Sequence, residues 1–211
     1  MKDLKIFIPV VVAALALTAL SGASVASASA LKQFGGGTSL KKGTEIVASL
    51  ESGNSTFLED GFGLTATTCT GSTVKGKIER TTSEKGPEGS IGHPKGKIAT
   101  LEFTGCSHTV DPDPNNKGEL EVRNITGTTN GTVFSSGTKV LAFSTLLNQN
   151  CLINTGAGTD IGTLTGATSG FTRATMDINA LLPLEGCSAS TARWTGKYEI
   201  TQPIGLVVES S

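Results

Sequence analysis

The chain has 211 residues, with 17 Lys and Arg against 18 Asp and Glu for a net charge of −1; Gly is abundant at 27, and there is one Trp and one Tyr. So neutral a chain lacks the basic surface that nucleic acid or an anionic membrane would require of a partner. Abundant Gly and Thr with few aromatics and few long helix formers is the usage of short strands joined by tight turns, and the expected fold class is all-β.

Lys2 and Lys5 precede an apolar stretch from Ile6 to Leu20, after which the chain becomes small and polar through Ala30. This is the three-part layout of a secretory signal peptide. Ala26-Ser27-Ala28 and Ala28-Ser29-Ala30 both place small residues where a signal peptidase reads, so cleavage is expected after Ala28 or Ala30, and residues 1–28 are taken as the leader. The apolar run, about fifteen residues, is shorter than the ~20 that span a bilayer. No Cys follows it for lipid attachment, and no second long apolar stretch appears downstream. The expected product is secreted, extracellular or held at the cell surface, without an integral membrane segment. Cleavage removes two of the 17 basic and one of the 18 acidic residues, leaving a net charge of −2.

Residues 29–43 carry Gly35-Gly36-Gly37 without periodicity and read as a flexible leader to a β domain over 44–211. Four cysteines follow, Cys69, Cys106, Cys151 and Cys187. An even count in an oxidising compartment argues for two disulfides, with three pairings open. The steps of 37 and 36, with Gly-Cys-Ser at Cys106 and again at Cys187, favour 69 with 106 and 151 with 187. The same spacings suggest two related β units, near 60–125 and 145–205.

Strand signals come in order. Val74, Gly76 and Ile78 alternate with charged residues; Ala99, Leu101 and Phe103 alternate with Thr100, Glu102 and Thr104; Leu120 and Val122 alternate with Glu119, Glu121 and Arg123. Near the end Ala192, Trp194, Gly196, Tyr198 and Ile200 share one face, opposite Arg193, Thr195, Lys197 and Glu199. Period two with one polar face marks antiparallel strands covering a core on one side. Between Arg80 and Gly96 a polar run without period reads as an exposed loop. Asn130-Gly131 reads as a type I′ hairpin turn joining a strand near Val122–Thr128 to one starting near Thr132. The expected architecture is an antiparallel β-sandwich or Greek-key barrel, one domain with two disulfides.

Candidate chemistry is sparse. His93 and His108 are the only histidines, so a Ser-His-Asp site would use one of them with carboxylates distant in sequence. Gly89-Ser90-Ile91-Gly92-His93 lacks the spacing of a nucleophile elbow. Asp111, Asp113 and Asn115 place oxygens at alternating positions, as in a calcium loop, but Asn116 stands where Gly belongs and Val122 where the bidentate Glu belongs. Gly156 to Gly162 lacks the Lys-Ser/Thr of a phosphate loop, and a turn with Asp160 bonding its own backbone is expected. Asn54, Asn124 and Asn130 head glycosylation sequons.

Four segments stand together in order: Thr68-Cys69-Thr70-Gly71-Ser72-Thr73-Val74-Lys75-Gly76, Gly158-Thr159-Asp160-Ile161-Gly162-Thr163-Leu164-Thr165-Gly166, Ala174-Thr175-Met176-Asp177-Ile178-Asn179-Ala180, and Trp194-Thr195-Gly196-Lys197-Tyr198. With them the chain resembles a group of exported actinobacterial proteins of unknown function, over roughly Lys42 to Glu209. It is also similar to the exported activator-of-alkane-oxidation proteins, through a Cys-containing strand followed later by a Gly-Cys-Ser turn. The resemblance implies an exported bacterial β protein with two bridges, which sets the sequons aside, and it transfers no catalytic residues.

The expected function is therefore that of a non-catalytic structural or binding module outside the cytoplasm, its partner a cell-wall, glycan or protein surface. No cofactor is expected, with calcium at Asp111, Asp113 and Asn115 as the variant. The alternative is an exported hydrolase using His93 or His108.

Overall fold

The structure, a computed structural model, describes residues 28–60, 65–82, 92–144, 148–170, 172–187 and 189–211. Among the described residues there is no helix, and the fourteen strands are all paired antiparallel. The expected all-β antiparallel fold is present, as a closed barrel in place of a sandwich. Eight strands close a ring: β2 (Glu45–Leu50), β4 (Thr65–Arg80), β5 (Lys95–Cys106), β7 (Glu119–Asn124), β8 (Gly131–Ser136), β11 (Thr159–Thr165), β12 (Thr175–Glu185) and β13 (Thr191–Gln202), with β13 returning to β2. They follow one another around the ring in chain order, so the connectivity is up-and-down rather than Greek-key. Strands from both halves of the chain complete this one ring, in place of two related units.

Four shorter strands lengthen the staves. β3 (Thr56–Asp60) continues β2 between β4 and β13, and β6 (Val110–Pro112) precedes β7. β9 (Lys139–Ser144) continues β8, and β10 (Gln149–Asn154) precedes β11 along β12. The break between β8 and β9 falls at Gly137, whose φ of 70° favours glycine. Buried hydroxyls hold that break, with Ser135 Oγ 2.9 Å from Thr138 Oγ1 and Thr138 N donating to Thr155 Oγ1 at 3.0 Å.

The barrel thus has a near end, where β5, β8 and β12 start, and a far end where β5 and β12 finish. Both disulfides staple the far end: Cys69–Cys106 joins directly opposed residues of β4 and β5, and Cys151–Cys187 ties β10 to the turn after β12. The pairing expected from the spacing is the one formed.

Alternation supplies the core. Along β13 the residues Ala192, Trp194, Gly196, Tyr198 and Ile200 all face inward, as their pattern requires. Tyr198 has no exposed surface, and its hydroxyl lies 3.1 Å from Ser72 Oγ. Trp194 donates Nε1–H to Thr56 Oγ1 at 2.9 Å and meets Phe103 edge-on, ring centroids 6.0 Å apart. Each buried aromatic therefore keeps a partner for its polar tip.

One expected face is shifted. Ala99 points to solvent while Ile98 and Leu101 are both buried. The cause is a bulge: Lys75 pairs with Thr100 and Gly76 with Ile98, leaving Ala99 unopposed and reversing the alternation.

Residues 29–33, placed by composition in a flexible leader, form β1 (Ser29–Gln33), which pairs with β14 (Leu206–Ser210) in a separate two-stranded ribbon. Ala30, Leu31, Leu206, Val207 and Val208 are buried. The ribbon is fastened to the near-end loops, with Ala167 N donating to Leu206 O at 2.8 Å and Val208 N to Thr129 O at 3.0 Å. The Asn130-Gly131 turn is also different from expectation: β7 and β8 are joined by six residues, 125–130, with Asn124 opposite Gly131. Asn124 Nδ2 donates to Thr128 O, Asn130 O and Val208 O, which organises a wider loop beneath the ribbon. Gly131 is glycine for closeness of approach, because a Cβ there would sit 2.7 Å from Val122 Cγ1 and 3.1 Å from Val208 Cγ2.

Candidate functional site

The near half of the barrel encloses an apolar cavity of about 80 Å³. Every barrel strand contributes at least one wall residue, among them Ala48, Val74, Ile98, Val122, Leu164 and Met176, with Leu31 and Leu206 of the ribbon also in the lining. These residues face inward because each sits on the apolar phase of an alternating strand. Toward the far end the interior is filled instead by Leu101, Ile161, Ile178, Tyr198 and Trp194, all buried. Gly76 of β4 and Gly96 of β5 also line the cavity. A Cβ at Gly76 would meet Lys97 O at 2.7 Å and one at Gly96 would meet Lys77 O at 2.8 Å, so a side chain at either position would force the strands apart.

Among the described residues no aromatic side chain lines the cavity, and the charged residues around it are Lys77, Lys95 and Lys97. Of these, Lys95 is paired with Glu119. At ~24 cal/mol per Å³, a void of 80 Å³ costs about 2 kcal/mol of stability.

Beside the ribbon lies the principal polar cluster of the near end. Ser29 Oγ accepts from Asn124 N at 2.7 Å and lies 3.0 Å from His93 Nδ1. Glu121 accepts from Arg80 Nη2 at 3.2 Å and Arg123 Nε at 2.7 Å, and the Arg123 guanidinium lies 4.1 Å from the Phe134 ring centroid. Burial holds the His93 imidazole below its ordinary pKa; Glu121 pulls it upward, while Arg123 and Arg80 push it further down. His93 Nδ1 and the Ser29 hydroxyl share one hydrogen bond.

This arrangement makes stability depend on pH. The folded pKa lies below the ~6.5 of the unfolded chain, so the unfolded state takes the proton first. The contribution is complete above about pH 6.5 and is lost as pH falls through the folded value. Replacing His93 with Asn is expected to flatten that part of the profile. Urea unfolding of both proteins at about pH 7.5 and pH 5 checks it, the expected result being a smaller difference between the two pH values in the variant.

The two histidines are not brought together, since His93 is at the near end and His108 in the turn after β5. His108 stacks on Phe143 at 5.6 Å, with Nδ1 3.2 Å from Ser107 Oγ, and Ser107 Oγ accepts from Thr68 N. Hydrolytic triads place serine on Nε2 and a carboxylate on Nδ1. Here each histidine meets its serine through Nδ1, and Ser29 has no exposed surface for a substrate to reach.

Asp111 lies exposed on β6 opposite Leu141. Asp113 accepts from Asn116 Nδ2 at 2.7 Å and Asn115 N at 2.8 Å, and these bonds hold its carboxyl below the usual range. Its oxygens shape a turn, and Asn115 borders a polar hollow alongside Asn116, Lys117 and Glu119. In the Gly156–Gly162 stretch, Asp160 accepts from Gly162 N at 3.0 Å, within β11 at a bulge rather than in a turn. Of the run between Arg80 and Gly96, residues 83–91 lie outside the described residues.

The cavity itself is not legible in the sequence. Val74, Ile78, Leu120 and Val122 are legible as an inward face, but alternation cannot distinguish a filled interior from a hollow one. No protein-family model, no curated protein and no solved structure matches this chain.

Proposed function

We propose that the chain is an exported, non-catalytic binding module that shelters the end of a linear aliphatic chain in the near half of its barrel. The observation that carries this reading is the cavity: all eight barrel strands contribute residues to the wall of an apolar space of 80 Å³ that a slightly larger side chain would fill. Its volume is roughly half that of the ~150 Å³ engineered cavity that admits benzene, which favours a slender chain over a ring. Export is supported by the leader pattern and by two disulfides at bonding distance. A surface that presents such a chain, a lipid or a lipidated cell-wall glycan, fits the compartment.

A dansyl-labelled linear alkyl chain is expected to bind the mature protein with saturable fluorescence enhancement and to be displaced by unlabelled linear chains but not by naphthalene. Ala48→Leu, which adds three carbons at the wall, is expected to abolish uptake while raising the unfolding free energy by about 0.5–2 kcal/mol. Equal uptake by the wild-type and filled proteins would contradict the reading.

A further inference from the structure

Two peptide bonds two residues apart satisfy a signal peptidase equally, after Ala28 and after Ala30, yet the fold treats them differently. Ser29 has no exposed surface and Ala30 is 1% exposed. Ser29 Oγ is the shared partner of Asn124 N and His93 Nδ1, and Ser29 N donates to Gly92 O at 3.3 Å. Loss of both residues would remove two of the five ribbon pairs, Ser29 with Ser210 and Ala30 with Glu209, and leave those near-end groups without the hydroxyl.

A second observation concerns the side chain of Asn124. Asn124 Oδ1 is the one buried side-chain oxygen without a hydrogen-bond partner among the described residues, and Asn124 is the residue whose main chain holds Ser29. We propose that the Ala28–Ser29 peptide bond is the processing site and that the ammonium group created there is a structural element of the near end, donating to Gly92 O and Asn124 Oδ1. This inference does not depend on what the barrel binds.

The chemistry is hydrolysis by a signal peptidase with small residues Ala26 and Ala28 in its two pockets. Water adds its hydroxyl to the Ala28 carbonyl carbon, the C–N bond breaks, and the Ser29 nitrogen takes the water proton and a second from solvent. An amide nitrogen with one donor becomes an ammonium with three. The cut must precede ribbon closure, because in the closed ribbon Ala28 O is held by Ser211 N at 2.9 Å and Ser29 is buried.

The full chain, exported under its own leader from a bacterial host, is expected to yield an intact mass that begins at Ser29. A mass beginning at Ser27 or Leu31 overturns the assignment. Proteins released from a removable fusion with Ser29 or Leu31 as first residue separate the structural claim from peptidase preference. The Leu31 form, without the three hydrogen bonds of Ser29 to Asn124 N, His93 Nδ1 and Gly92 O, is expected to melt lower by roughly 6–12 °C, at about 2–4 °C for each bond. Equal melting overturns the role given to Ser29. Acetylation of the Ser29 amine is expected to lower the melting temperature as well, and no change would overturn the role given to the ammonium.

Discussion

Replacing both Cys69 and Cys106 with serine is expected to destabilise the barrel by about 3–4 kcal/mol, the loop-closure value for 37 residues. Position makes this bridge more than an entropic tether. Near the far end the β5–β7 ladder has stopped, since its pairs cover only Lys95 to Lys97, and the chain turns from β5 into β6 without ladder pairs between them. The disulfide fixes β4 to β5 where that opening begins. Thr67 Oγ1 then reaches across to Phe143 O on β9 at 3.2 Å, closing the far end. The double variant should therefore lose protection first at the far end, which hydrogen exchange resolves, while urea unfolding gives the total. Loss of less than about 1 kcal/mol would show that the far end is held by packing alone.

Trp194→Ala is expected to cost about 3–5 kcal/mol, in the range of large-to-small changes at buried aromatics. Trp194 is 6% exposed, stands where β13 passes from β3 to the barrel proper, and packs edge-on to Phe103. Its removal also deprives Thr56 Oγ1 of the indole donor, although Thr56 keeps its own bond to Thr195 O at 2.8 Å. Trp194→Phe retains most of the volume and should recover more than half of the loss. Thermal unfolding of the three proteins measures both steps, and equal costs for Ala and Phe would place the energy in the hydrogen bond instead of the packing.

The strand most legible in the sequence was β13, because ten residues of strict alternation with one Trp and one Tyr on a single face leave no second phase. The disulfide pairing was legible for a related reason: nearly equal steps of 37 and 36 and a repeated tripeptide mark two crossings of similar length. β5 was half legible, since a single bulged residue, Ala99, reverses the phase and no local residue type announces it. β1 was hidden: five residues beside a Gly-rich turn carry almost no periodic signal, and their partner β14 lies at the other end of the chain. Asn130-Gly131 misled because Asn124, a few residues earlier, supplies three side-chain bonds that favour a longer loop. The cavity is the deepest case, being a property of eight converging strands and a ribbon rather than of any segment.

Methyl NMR of the mature protein titrated with a linear alkyl chain tests the cavity's role most directly. Chemical-shift changes are expected to be confined to methyl groups of Leu31, Val133, Leu164, Met176 and Leu206 and to saturate at one chain per barrel, while Leu182 at the far end stays unmoved. Shifts scattered over exposed methyls such as Leu181 and Ile204, or none at all within the cavity, would contradict a binding role for the barrel.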